Sequence, residues 1–265
     1  MMDDRPPSDL DILAELQSLS ADDPRLLQFL TPVTAFQYLP LYALVRQYVP
    51  RGGHTLDWGV GNGHFSYFLQ RAGYRVSGFD MEPCPALCAR FTPGSYDFRT
   101  GDPAHPSRLP FADKSFSAVI SVGVLEHVRE TGGTERASLR EVARVLQPGG
   151  VFVCFHLPNR DSWIEAMLRR LGRWGHPYRY SRDEIERMSE ETGFAIRVIK
   201  RYAALPRNIL SGRRMRWLTT SSAFGRLYGL ADDTLARVFS PFCQNFLYVA
   251  EKVREPIVEN AETLT

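Results

Sequence analysis

The run Thr55-Leu56-Asp57-Trp58-Gly59-Val60-Gly61-Asn62-Gly63-His64-Phe65 constrains this chain more than any other stretch. Two β-favouring residues lead into an acid, three glycines alternate, and a helical pattern then begins. Glycine permits the positive φ that a tight strand-to-helix turn often needs. A side chain at Gly59, Gly61 or Gly63 would also keep a ligand off the backbone. The spacing is G-x-G-x-G, whereas nicotinamide and flavin sites carry G-x-G-x-x-G. His64 stands where that fingerprint has its third glycine, so the expected ligand is a nucleoside-type cofactor and not a dinucleotide.

From residue 54 onward strand and helix signals alternate, which argues for a parallel sheet covered on both faces. Strands are expected near 54–58, 74–79, 95–99, 116–122, 149–156, 194–201 and 244–252, with helices near 63–72, 84–90, 134–147 and 181–192. Pro148-Gly149-Gly150 and Thr192-Gly193 each end a helix and turn the chain into a strand. Ahead of the first strand, Ser8 with Asp11 and Asp23-Pro24 read as helix starts, and 36–49 is amphipathic. The expected organisation is an N-terminal helical cap over 1–50, one domain over 51–255, and a disordered tail over 256–265. Within the domain, 203–243 forms an insertion before the last strand, placed to cover a substrate.

The length of 265 residues, with 44% hydrophobic and 23% charged, suits one α/β domain with an appendage. A net charge of +2 gives no global attraction for nucleic acid, so none is expected as a partner. Four cysteines in a chain this long make no disulfide framework. There is no basic-then-apolar leader and no apolar run of membrane-spanning length. The chain is therefore expected to be soluble and cytoplasmic.

In an open α/β sheet, ligands lie outside the carboxyl ends of the strands. Three acids stand at successive strand ends: Asp57, then Asp80 after the second strand, then Asp102 in Gly101-Asp102-Pro103. Asp80 can accept hydrogen bonds from a ribose diol, Met81 can lie against an adenine face, and Asp102 can accept from an exocyclic amine. Here the sequence resembles the class I S-adenosylmethionine-dependent methyltransferases, in the broad type 11-like branch that modifies small molecules. The resemblance covers about residues 50–200. It rests on Leu56-Asp57-Trp58-Gly59-Val60-Gly61-Asn62-Gly63, Gly78-Phe79-Asp80, Gly101-Asp102, Leu109-Pro110-Phe111, the run from Ser121 to His127, and the run from Leu139 to Gly150. It implies a Rossmann-like seven-stranded sheet whose last strand is antiparallel, with S-adenosyl-L-methionine as cofactor. Asp57, Gly59, Gly61 and Gly63 would hold the methionine end, Asp80 the ribose and Asp102 the adenine, while Val122 would line the cleft.

The chain departs from the pattern twice. Ser117 replaces a common aspartate, a structural position. Glu126-His127 resembles the metal-binding E-x-x-E-H run of some RNA and quinone methyltransferases, but Gly123 replaces the first acid. Two groups make a poor magnesium site, so no metal is expected. Methyl transfer chiefly needs alignment, for which proximity can supply on the order of 7–11 kcal/mol. His156, ending the fifth strand, and His127, following the fourth, are the candidate general bases for a hydroxyl acceptor. Arginines interleaved with aromatics over 160–182 and 203–243 suit an anionic small-molecule acceptor, lipid-linked or glycan-linked, or peripheral contact with an anionic membrane. The reading is an O-methylating enzyme; its rivals are a non-catalytic cofactor-binding subunit and a nicotinamide-dependent oxidoreductase.

Overall fold

Hydrophobic alternation with period 2 turns alternate residues of a strand to opposite faces, and here it divides the interior into two cores. Residues 7–173, 175–207 and 219–255 are described by a computed structural model. The strands are β1 (His54–Trp58), β2 (Arg75–Asp80), β3 (Tyr96–Thr100), β4 (Phe116–Val122), β5 (Leu146–Pro158), β6 (Phe194–Tyr202) and β7 (Asn245–Lys252). They form one seven-stranded sheet in the order β3-β2-β1-β4-β5-β7-β6. The pairs from β3 to β5 are parallel, and β7 runs antiparallel to both β5 and β6. Strand order reverses between β1 and β4, which opens a crevice at their carboxyl ends.

One face of the sheet turns Leu56, Trp58, Val119, Phe152, Cys154 and Tyr248 toward α5 (Glu135–Val145) and α7 (Arg182–Glu191). The other turns Ala118, Ile120, Val153, Phe155 and Val249 toward α4 (His64–Arg71) and the N-terminal helices. These are α1 (Asp9–Leu19), the four-residue α2 (Pro32–Ala35) and α3 (Leu39–Tyr48). Ile12, Leu16, Leu41 and Val45 belong to the same buried cluster as the strand residues, so this segment shares the core of the sheet. Tyr42 stacks on Phe68 of α4 with ring centroids 3.6 Å apart.

After β5 comes α6 (Trp163–Arg170), and between β6 and β7 lies α8 (Ser222–Val238). Gly225 lets α8 close on α2: a Cβ there would sit 2.8 Å from Pro32 Cβ. The insertion thus rests on the N-terminal segment, next to the crevice. Residues 208–218 of it, including Arg213, Arg214, Arg216 and Trp217, lie outside the described residues, as do Trp174 and the tail 256–265. No helix among the described residues is long and apolar enough to cross a membrane.

Two elements differ from expectation. The helix expected over 84–90 is a 3-10 turn, Ala86–Arg90, because Pro83, Pro85 and Pro93 leave too few residues for an α-helix. Pro148-Gly149-Gly150 does not precede β5 but interrupts it: β5 begins at Leu146, opposite Phe116, and the register shifts before Val151 meets Ala118. Gly149 takes φ +73°, which absorbs the bulge.

Candidate active site

The turn from β1 into α4 is pinned to the end of β2. Gly59 and Val60 donate their N–H groups to the Phe79 carbonyl at 2.8 and 3.2 Å. Gly61 N–H donates to Asp80 Oδ2 at 2.7 Å, and Glu82 N–H to Asp80 Oδ1 at 3.1 Å. A carboxylate has about four lone-pair sites, so Asp80 is oriented by the backbone and still has capacity for a diol. Gly59 has φ +81°, and a Cβ there would lie 2.2 Å from Val124 Cγ2. Gly61 has φ +53° and faces open space, with nothing within 4 Å of a Cβ position.

That space is a cavity of about 410 Å³. Of the residues expected to hold a cofactor, Gly59, Gly61, Asp80, Met81 and Val122 line it. Gly63 stands behind the wall as the N-cap of α4, with φ +87°. Asp57 and Asp102 are not brought to it. Asp57 points under the turn, where Oδ2 accepts the Ser66 hydroxyl at 2.6 Å and Oδ1 is buried without a partner. Burial pushes its pKa up to about 7. Asp102 accepts the Ala104 N–H at 2.9 Å, lies 3.0 Å from His105 Nδ1, and lines a separate hollow with Arg108 and Arg144. The third-strand loop reaches the first cavity through Pro106 instead. His64, read from sequence only as a helix start, also lines it; its ring is buried among Phe29, Tyr38 and Phe65, and desolvation lowers its pKa to about 3.

A second cavity, about 420 Å³, adjoins the first, and Gly123 and His127 line both. Its wall draws Tyr38 and Gln37 from the N-terminal segment, Glu126 from the loop after β4, His156 from β5, and Arg207 from beyond β6. His156 has φ +66°, held by the Tyr202 hydroxyl, which accepts its backbone N–H at 2.9 Å and lies 2.8 Å from its Nδ1. With one proton and two acceptor lone pairs, that hydroxyl can hold either neutral tautomer of the ring. Burial, with Arg207 nearby, lowers the His156 pKa to about 3. A base matched to neutral pH needs a pKa near 7, so His156 is suited to hydrogen-bond from a neutral ring rather than to take a proton. His127 is partly exposed, its Nδ1 2.9 Å from Glu130 Oε1.

Sequence reasoning did not anticipate Glu126 as a cavity residue or His176 beside it. Glu126 is 3% exposed, its Oε2 has no partner, and burial pushes its pKa up to about 7. His176 comes from the arginine-rich segment after α6, and its Nδ1 lies 2.9 Å from the buried Glu165 carboxylate. Arg207 is paired with Asp232 of α8. The first cavity fits a nucleoside bearing a diol. Asp80 can receive the hydroxyls, Phe79, Met81 and Val122 supply apolar surface, and the space over Gly61 admits a chain lying close to the backbone.

A family model described as "Methyltransferase domain" matches residues 56–154. A demethylmenaquinone methyltransferase of Tropheryma whipplei is 36% identical over 126 residues, 46% of this chain and 48% of that protein. An O-methyltransferase of Aspergillus sclerotiorum is 31% identical over 160 residues, 55% of this chain and 56% of that protein. The chain thus spans about half the length of these curated relatives. Among solved structures, the 4+2 cyclase SpnF superposes with a TM-score of 0.58 at 16% identity, covering 94% of each chain. That likeness concerns the fold alone.

Proposed function

We propose that this chain, whose residues 56–154 belong to the class I S-adenosylmethionine-dependent methyltransferase family, methylates an oxygen atom of a small hydroxylated molecule. The observation that carries the reading is the meeting of two cavities at Gly123 and His127, one shaped for a nucleoside and the other lined with polar groups. When bound, the donor would supply an activated methyl group: an O–CH3 bond forms, the S–CH3 bond breaks with its electron pair left on sulfur, and the acceptor hydroxyl passes its proton to solvent water. The chain's own contribution is alignment. Asp80 and the turn at Gly59–Gly61 fix one reactant, and the second cavity fixes the other against the shared wall. Effective concentration of this kind can lower the barrier by on the order of 7–11 kcal/mol.

The neutral ring of His156 hydrogen-bonds the acceptor hydroxyl, while Tyr38, Gln37 and Arg207 help to shield the cavity from water. Because the charge of Arg207 is matched by Asp232, we favour a neutral acceptor over an anionic or lipid-linked one. A second reading is methylation at carbon of a hydroxylated ring, which the name of the 36% identical relative supports.

The test is calorimetric titration with S-adenosylmethionine, S-adenosylhomocysteine and NADH, repeated for Asp80→Ala and Asp80→Asn. Micromolar binding of both sulfur nucleosides is expected, with NADH silent. Loss of charge-assisted bonds, at roughly 1.5–3 kcal/mol each, should weaken binding at least about tenfold in both variants. A preference for NADH would overturn the reading. Binding without turnover on any hydroxylated acceptor would leave a non-catalytic subunit.

A further inference from the structure

We infer that Glu126, His127 and His176 form a binding site for a first-row divalent transition-metal ion in the wall of the second cavity. One ligand atom from each lies within 4.8 Å of the other two, and the imidazole centroids are 6.0 Å apart. The residues come from two segments separated by about fifty positions, the loop after β4 and the segment after α6. Sequence reading dismissed a metal because Gly123 removes an acid from the local run; the fold supplies His176 in its place.

Two independent features point to a cation. Glu126 is 3% exposed and its Oε2 has no hydrogen-bond partner. A buried carboxylate oxygen in that position carries an uncompensated desolvation cost, which a bound cation would remove. Second, each histidine is held at Nδ1 by its own carboxylate, Glu130 at 2.9 Å for His127 and Glu165 at 2.9 Å for His176. Metal-bound imidazoles characteristically donate their other nitrogen to such a group, which fixes the ring and the tautomer. In that tautomer Nε2 is the nitrogen that carries the lone pair. Glu165 is itself buried, accepting the His176 N–H at 3.0 Å and the Gln244 side-chain amide at 3.2 Å.

Two imidazoles and one carboxylate suit zinc, manganese(II) or iron(II) better than magnesium or calcium, which take mainly oxygen ligands. Three protein ligands leave at least one coordination position for an outside oxygen. Because His127 also lines the first cavity, an acceptor hydroxyl or ring oxygen held on the ion would lie close to the seam. That role rests on the methyltransferase reading; the site itself does not.

The experiment uses the full chain, stripped with a chelator, without donor or acceptor. Manganese(II) is titrated by electron paramagnetic resonance and zinc by calorimetry, with magnesium as comparison. One ion per chain is expected for manganese and zinc at micromolar concentration. His127→Ala, His176→Ala and Glu126→Gln should each weaken it more than about tenfold, and Glu165→Gln, a positioning variant, by about 10–100-fold. His127 is partly exposed, so its variant separates ligand loss from misfolding, and circular dichroism checks the buried ones. Absence of binding, binding of magnesium alone, or affinity unchanged in folded His127→Ala would overturn the site. Zinc binding lost in Cys84→Ser would instead assign the ion to the neighbouring thiols Cys84 and Cys88. A chain that binds S-adenosylhomocysteine but no metal refutes only the metal; a chain that binds metal but no sulfur nucleoside refutes only the methyltransferase reading.

Discussion

A carboxyl group with one oxygen on Ser66, the other without a partner and 1% of its surface exposed keeps its proton up to about pH 7, and this is Asp57. The folded state therefore binds a proton that the unfolded chain, titrating near 3.8, gives up. Asp57 consequently loses stability for the fold as pH rises from about 4 to 7. Asp57→Asn removes that dependence, so relative to wild type the variant should lose stability on acidification from pH 7 to 4. Urea midpoints at several pH values measure this, and a constant difference between the two proteins would refute it. The glycines separate by the same logic of local contact. Gly59→Ala drives a methyl into Val124 at φ +81° and should strongly lower the melting temperature. Gly61→Ala meets no atom and should cost only about 1–2 kcal/mol for its left-handed backbone. It should nevertheless weaken S-adenosylhomocysteine binding in calorimetry, because its methyl enters the space the ligand needs.

At the scale of elements, α8 docks on α2, and its Asp232 pairs with Arg207, a residue of the second cavity's wall. Gly225→Val places side-chain atoms where Pro32 already stands and should destabilise the docking by about 1–3 kcal/mol. Donor affinity should hold while limited proteolysis within 203–243 accelerates; unchanged cleavage would show that α8 is held by other contacts. The elements also show how far local patterns reach. All seven strands were legible because each combines alternation with flanking turn residues. The segment expected as a helix over 84–90 is a 3-10 turn because prolines bound it on both sides. The start of β5 was expected after Pro148-Gly149-Gly150 rather than at Leu146, because the pairing of Leu146 with Phe116 is a long-range contact that helix-stop residues do not report.

For the whole molecule, ligand binding and folding are linked. A nucleoside ligand that binds only the folded chain at about 100 times its Kd adds roughly 2.7 kcal/mol. In a protein of this size that raises the melting temperature by about 5–10 °C. S-adenosylhomocysteine should produce that shift in wild type and little of it in Asp80→Ala, read by scanning calorimetry at matched ligand concentrations.

The sequence by itself determined the glycine turn, the acid after β2 and the alternation of strands and helices, because each is a statement about neighbours along the chain. It therefore carried the fold and the place of the first cavity. Only the tertiary structure decided which strand-end acids face that cavity. Asp57 and Asp102 share their motif position types with Asp80, but their side chains are taken up by Ser66 and by Ala104 with His105. It also decided the surroundings of His156, where Tyr202 holds the ring and desolvation lowers its pKa, since desolvation depends on what packs around a ring. And it alone brought His176 to Glu126 and His127, because a contact between segments some fifty residues apart leaves no periodicity or spacing in the chain.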